Sequence, residues 1–344
     1  MDTTILRCPG CGANIQFDAQ TQTWLCAQCG TQYTAQDIFK LTTDSDLDTK
    51  INEPQPTLNV YKCQSCGAEM VADENTTATF CVYCHNPGII KSRLEGEFRP
   101  DYIIPFQKSK KDAVNAYNAY RKGKFITFKE FGDPKNIEKI TGVYVPFWLY
   151  NGRSQAYVAG KLHTSSSKRD GDYIVTTKNI YDIERAGYMI FRNVPADGSV
   201  KFDDNTMDSI EPYDFTQLIP FNYSYLSGYL AEKYDVSAAE DQSRAKYRME
   251  NTLINKINGT INGTLTDETK NLDTSIDRPK YALLPVWMLN TIIDGKPYTY
   301  AMNGQTGRIV GNIPISKANA LAFFLIIALI AMSIVSAISY WLFM

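Results

Sequence analysis

Apolar and polar positions change rhythm several times along the chain. Asn14-Ile15-Gln16-Phe17-Asp18 and Thr23-Trp24-Leu25 alternate as two strands of a hairpin turned by Ala19-Gln20-Thr21-Gln22. The same plan recurs with strands near Glu69–Ala72 and Ala78–Phe80 about the polar turn Asp73-Glu74-Asn75-Thr76. Between them, residues 41–59 are acidic and polar and carry Pro54 and Pro56, which reads as a linker. Helical stretches are expected from Lys108 to Arg121 and from Ala238 to Ile257. Strands are expected at Val143–Tyr150 and Ala282–Leu289, each holding a Pro-x-Trp, and proline inside a strand belongs at an edge or a bulge. Further β-rich segments are Ser154–His163, Tyr173–Ile183, Ala186–Arg192, Thr291–Asp294 and Tyr298–Asn303. Asp294-Gly295 and Asn303-Gly304 are hairpin-turn dipeptides. Leu162–Asp172 (LHTSSSKRDGD) reads as an exposed polar loop.

The order apolar-Pro-Phe, helix, Pro-x-Trp strand occurs twice. Ile103-Ile104-Pro105-Phe106 leads to Trp148, and Leu218-Ile219-Pro220-Phe221 leads to Trp287. The expected fold class is therefore α+β. Two small zinc ribbons (β-hairpins with rubredoxin-like knuckles) occupy 5–37 and 60–92, joined by an acidic linker at 38–59. A two-part antiparallel α+β domain covers 100–215 and 216–315, and one transmembrane helix covers 318–344.

The ribbon assignment rests on the cysteines. Cys8-x-x-Cys11 and Cys26-x-x-Cys29 are separated by fourteen residues, and Cys63-x-x-Cys66 and Cys81-x-x-Cys84 repeat that spacing at an offset of 55. These eight are all the cysteines in the protein, and each set of four suits one Zn²⁺. Gly12, Gly30 and Gly67 follow the second cysteine of three knuckles and permit the positive φ of such turns, whereas the fourth has His85. His85 is expected at the surface or behind a ligand rather than as a ligand. Disulfides are the competing reading. Residues 1–10 lack a basic start and an apolar run, so a reducing compartment and metal are expected. Four thiolates close the coordination shell, which points to a structural role. Rubredoxin-type iron uses a similar set, so spacing leaves iron open beside zinc.

Charge changes the picture in one place. Residues 1–100 carry 7 Lys and Arg against 12 Asp and Glu, and each filled four-thiolate site adds two further negative charges. Nucleic-acid-binding ribbons present a basic face, so nucleic acid is not the expected partner. Ala320–Met344 is 25 residues without a charge, longer than the ~20 that cross a bilayer. Tyr340 and Trp341 suit the far interface, while Arg308 and Lys317 precede the span and nothing basic follows it. The reading is a single-pass tail anchor in the cell membrane with the N-terminal mass in the cytoplasm.

Catalytic motifs are not found. There is no glycine-lysine phosphate loop, no Gly-x-Gly-x-x-Gly and no Gly-x-Ser-x-Gly, and His163 has no sequence partner. The run from Gly304 to Gly311 is explained by hairpin turns, and Asp203-Asp204 are adjacent and solvated. No catalytic residue and no cofactor-binding residue is assigned.

The duplicated Cys-x-x-Cys pattern, the Val-Pro-Phe-Trp and Leu-Pro-Val-Trp strands, Asn-Gly-Gln-Thr-Gly and the terminal apolar helix together resemble a family of bacterial membrane proteins. They are labelled TFIIB-type zinc-ribbon proteins, sometimes primosomal-helicase-like. Some relatives are similar to members of gene clusters that encode a phage-shock-protein-A-like protein and a flotillin-type (SPFH) protein. The resemblance implies a role in envelope stress, recruiting a peripheral partner to the membrane. The expected function is a non-enzymatic membrane-anchored adaptor that binds proteins. The alternatives are a membrane-associated nucleic-acid-binding protein, and an enzyme or lipid-binding module in residues 100–315.

Overall fold

The computed structural model describes residues 7–43, 58–72, 80–84, 89–92 and 99–343. The expected turn at 73–76, most of the strand at 78–80, His85 and most of the linker lie outside them.

In chain order the first elements are β1 (Ile15–Asp18), β2 (Thr23–Cys26), β3 (Gln32–Tyr33) and helix α1 (Ala35–Thr43). β1 and β2 are the expected hairpin, in register Ile15↔Cys26 to Asp18↔Thr23, and β3 adds to β2 to complete a small separate sheet. α1 starts at the end of the expected first ribbon and runs into the stretch expected as a linker. Thr34 caps it: its hydroxyl accepts from the Asp37 N–H, and the Asp37 carboxylate accepts from the Thr34 N–H and hydroxyl. Ile38 on this helix is buried.

Then come β4 (Asn59–Cys63), β5 (Glu69–Ala72), β6 (Ile89–Ser92), β7 (Tyr102–Ile103), α2 (Lys110–Arg121), α3 (Pro134–Ile137), β8 (Thr141–Asp170) and β9 (Tyr173–Asp197). They are followed by α4 (Asp204–Ser209), β10 (Ile219–Pro220), β11 (Leu230–Glu232), α5 (Ala238–Asn258), β12 (Thr264–Ile276), β13 (Lys280–Ile293), β14 (Lys296–Asn303), β15 (Ile309–Gly311) and α6 (Lys317–Phe343). Both long middle helices match expectation to within two residues. Each opens with a capping box, Ser109 with Asp112 and Ser237 with Glu240.

The chain divides into two compact units, 1–145 with 201–233 and 283–344, and 146–200 with 234–282. They interleave in sequence and do not coincide with 100–215 and 216–315. In the first unit the strands run β10-β7-β13-β8-β11-β5-β4-β6, with β14 beside β13 and β15 beside β14. In the second, β8 is flanked by β9 and β12. Its helix α5 buries Ala245, Met249, Leu253 and Ile257, a stripe at four-residue spacing, against Tyr150, Ala156, Val158 and Ala196.

The two units share one local plan. In the first, Gly304 N–H donates to Pro285 O at 2.8 Å, and Gly304 O accepts from the N–H groups of Gln107 and Lys108. The Trp287 indole N–H donates to Lys108 O at 2.8 Å, directly before the cap of α2. In the second, Gly198 N–H donates to Pro146 O at 2.8 Å, and Gly198 O accepts from Asp235 and Val236. The Trp148 indole N–H donates to Val236 O at 2.9 Å, directly before the cap of α5. Phe106 packs on Trp287 at 5.1 Å and Tyr234 on Trp148 at 5.0 Å, both at 60°. The repeat read from sequence is therefore real but shifted. The counterpart of Phe106 is Tyr234, three residues before a serine cap, whereas Ile219-Pro220 pairs with Tyr102-Ile103 as β10 on β7. Each proline lies one residue before the stretch that pairs with its hairpin partner, Phe147↔Asp197 or Val286↔Asn303. β13 is nonetheless an interior strand, between β7 and β8, so an edge position is not required.

Two expectations about turns and loops change. Asp294-Gly295, with φ of 52° and 70°, is a two-residue hairpin turn as expected. Asn303-Gly304 is instead part of a longer turn. The buried Asn303 side chain accepts from the N–H groups of Gln305 and Thr306 and donates to Ile210 O, and the positive φ falls on Gly307. Leu162–Asp172 is not a loop: β8 and β9 continue paired to Asp170↔Tyr173 and turn at Gly171-Asp172. Solvated on both faces beyond β12, this arm needs no apolar alternation, which is why its sequence reads as loop.

Along α6 the apolar side chains stay exposed, and by length and composition it is able to cross a bilayer. The Ser333 hydroxyl donates to Leu329 O at 2.8 Å, which satisfies it within the helix.

Candidate metal centres

Backbone geometry builds three of the four Cys-x-x-Cys knuckles in the same way. Gly12 N–H donates to Cys8 O at 2.8 Å, Gly30 to Cys26 O at 2.9 Å and Gly67 to Cys63 O at 2.9 Å. All three glycines have φ of 72°, and an added Cβ would meet nothing within 4 Å, so the requirement is for the left-handed backbone and not for space.

These turns gather Cys8, Cys11, Cys26 and Cys29 at one place and Cys63, Cys66, Cys81 and Cys84 at another, with the sulfurs of each four within 4.8 Å of one another. Cys8 and Cys29 approach to 3.4 Å, Cys11 and Cys26 to 3.5 Å, Cys63 and Cys84 to 3.6 Å, and Cys66 and Cys81 to 3.7 Å. A tetrahedron with Zn–S bonds of about 2.3 Å has vertices about 3.8 Å apart. A disulfide would bring sulfurs to about 2.05 Å. All eight thiols are free, and these close pairs cross between knuckles. The two groups are consistent with two zinc ions. Among the described residues they are the only groups of His, Cys, Asp and Glu close enough to share an ion.

No protein-family model and no solved structure matches the chain. The uncharacterized protein YdjG of Bacillus subtilis (strain 168) is 32% identical over 320 residues, covering 92% of each chain. The chain belongs to the YdjG family.

The two four-cysteine sites of this YdjG-family chain differ around the sulfurs. At the first, the Tyr33 hydroxyl lies 3.0 Å from Cys8 Sγ and the Thr31 hydroxyl 3.1 Å from Cys29 Sγ. The Tyr33 contact holds the Cys8 thiol down to about 6, against burial, with help from Cys29; Tyr33 itself is pushed up to about 12 by Cys8. At the second, burial pushes the Cys63 thiol up, but the N–H groups of Cys66 and Ser65 and the Cys84 sulfur outweigh it and bring it to about 7. Burial raises Cys81. Hydrogen bonds and nearby sulfur thus favour a thiolate at Cys8 and, through Thr31, at Cys29 of the first four, and at Cys63 of the second. Sequence reading missed Tyr33 and Thr31; the signal was two hydroxyls within four residues of Cys29.

Docking differs as well. At the first site Trp24 and Phe17 pack on Tyr225 at 4.8 and 5.1 Å. The Trp24 indole donates to Ser224 O, the Ser227 hydroxyl to Ile15 O, and the Gln22 amide to Phe106 O. At the second site β5 pairs with β11, which makes the hairpin part of the large sheet, and the Asn290 amide donates to Val82 O inside the knuckle at 2.7 Å.

The other candidate residues stay apart. His163, half-buried, meets the Thr266 hydroxyl at 2.9 Å. Asp203 caps α4 through Thr206. A cavity of about 490 Å³ in the second unit is open and lined by Arg185, Ala186, Gly187, Tyr188, Met189, Leu253, Lys256, Ile257 and Thr260. One of about 300 Å³ in the first unit lies beside Asp18, Ser109, Lys110 and Trp287.

Proposed function

We propose that the chain is a non-enzymatic adaptor, a tail-anchored protein of the cell membrane whose two structural zinc ribbons and α+β body face the cytoplasm and bind protein partners there. The observation that carries this reading is the presence in one chain of two all-thiolate sites and an exposed helix long and apolar enough to cross a bilayer. Zinc, when bound, supplies a crosslink between knuckles and, with four sulfurs around it, has no open position for water or substrate. Arg308 and Lys317, on the near side of the apolar span, support a cytoplasmic body. The open cavity in the second unit gathers no carboxylate, cysteine or histidine, which supports binding over catalysis.

The β8–β9 arm is the surface best suited to a partner. Tyr173 and Ile174 are 78% and 75% exposed, with Val175, Ile180 and Tyr181 beside them on a strand whose outer edge carries no neighbour among the described strands. Family resemblance makes phage-shock-protein-A-like and SPFH-type proteins the partners to look for, and envelope stress the setting. The test is crosslinking of the full-length protein in its native membrane, followed by identification of its neighbours. Protein partners are expected, and they should be lost when residues 164–179 are replaced by a short turn. Recovery of no protein, or salt-dependent recovery of nucleic acid alone, would contradict the reading.

A further inference from the structure

The chain entering α6 is tied to one loop of the first unit. Thr127 bridges Ile315, Phe128 N–H donates to Pro314 O at 3.2 Å, and Ser316 N–H donates to Ile126 O at 2.8 Å. Within the first turn of the helix, the Asn319 amide donates to Thr127 O at 2.7 Å. These bonds fix where the tip of the loop stands against the first turns of α6. That tip is Phe125, 76% exposed, with its ring 6.5 Å from Phe323 and inclined by 23°. Phe323 lies six residues into α6, about 9 Å along its axis. An isolated exposed phenylalanine needs no explanation. This one is held at the depth of a side chain inside the apolar span.

The loop's charges have one sign. Residues 121–129 carry Arg121, Lys122, Lys124 and Lys129 and no acidic side chain; Glu130 is the first to follow. Lys122 and Lys129 are exposed, and the Lys124 ammonium sits 3.1 Å over the Tyr120 ring. An exposed aromatic ring beside the apolar span, flanked along the chain by lysines, is the arrangement that matches a lipid interface with anionic headgroups.

We propose that residues 121–129 form a second membrane contact, in which Phe125 is immersed beside Phe323 and Lys122, Lys124 and Lys129 face anionic headgroups. The inference rests on α6 as the membrane anchor. A lone helix allows the body to swivel about its axis. A loop bonded to the helix entry and immersed at a second point sets which side of the first unit faces lipid.

The test uses the full-length chain in nanodiscs of mixed phosphatidylglycerol and phosphatidylcholine, with the photoreactive benzoylphenylalanine placed at position 125 or at position 329 within α6. Lipid adducts are read by mass spectrometry. The yield at 125 is expected within a few-fold of that at 329. In the K122E/K124E variant it should fall several-fold in the mixed discs and stay unchanged in pure phosphatidylcholine. Lipid adducts at 329 with a yield more than tenfold lower at 125 would overturn the second contact and leave the anchor standing. No adduct at either position overturns the anchor itself. A K122E/K124E yield equal to wild type in mixed discs overturns the headgroup contact.

Discussion

The two four-cysteine sites carry the same ligand spacing and close sulfur pairs, yet they are built into the protein in different ways. The first stands on a sheet of its own, β1-β2-β3, and leans on the rest of the first unit through one aromatic cluster and a few hydrogen bonds. The second supplies strands to the large sheet, and β11 joins its hairpin to β8. A duplicated motif therefore fixes the local metal geometry and leaves open how far the loss of metal travels. A small module with its own sheet fails alone, whereas one spliced into a sheet takes its neighbours with it.

The largest effect should come from removing a buried ligand. Cys81→Ser and Cys26→Ser should each cost one zinc ion. Hydrogen exchange should then speed up across β4, β5, β11 and β8 in the first variant, and within residues 7–43 in the second. Equal spread in both would erase the distinction. Next is Trp24→Ala, which removes the ring packed on Phe17 and Tyr225 and the bond to Ser224 O. A cost of about 3–5 kcal/mol is expected, read as undocking of the first site while two zinc ions are retained.

Asn290→Ala removes the buried bond to Val82 O and should cost about 1–3 kcal/mol, speeding zinc release to a chelator at the second site only. Thr34→Ala uncaps α1 and should cost about 1 kcal/mol, confined to the first. The smallest effect is with pH. The Thr34 hydroxyl and N–H hold the Asp37 carboxyl below its usual range. That cap is complete above about pH 4 and is lost as pH falls through the lowered value, so exchange in α1 should quicken on that descent.

What the sequence disclosed follows from how local each cause is. Thiolate spacing is a covalent ruler, so the two groups of four cysteines were legible from the chain alone. α2 and α5 were legible because cap, period and length agree. α1 was missed although Thr34 and Asp37 spell the same cap, because the acidic, proline-bearing run after it has the composition of a linker. The β8–β9 arm was misread because a strand pair solvated on both faces carries no apolar code. Phe221 mimicked Phe106 in sequence, but the equivalence with Tyr234 lies in hydrogen bonds to Gly304 and Gly198, separated from those residues along the chain. The docking of Trp24 on Tyr225 and of β5 on β11 is likewise non-local.

Native mass spectrometry of the full-length protein in detergent bears most directly on the claim that eight cysteines form two zinc sites. The account expects one dominant species holding two zinc ions per chain, with no mass lost to disulfides. A folded chain free of metal, one carrying iron, or one lighter by the hydrogens of paired cysteines would contradict it.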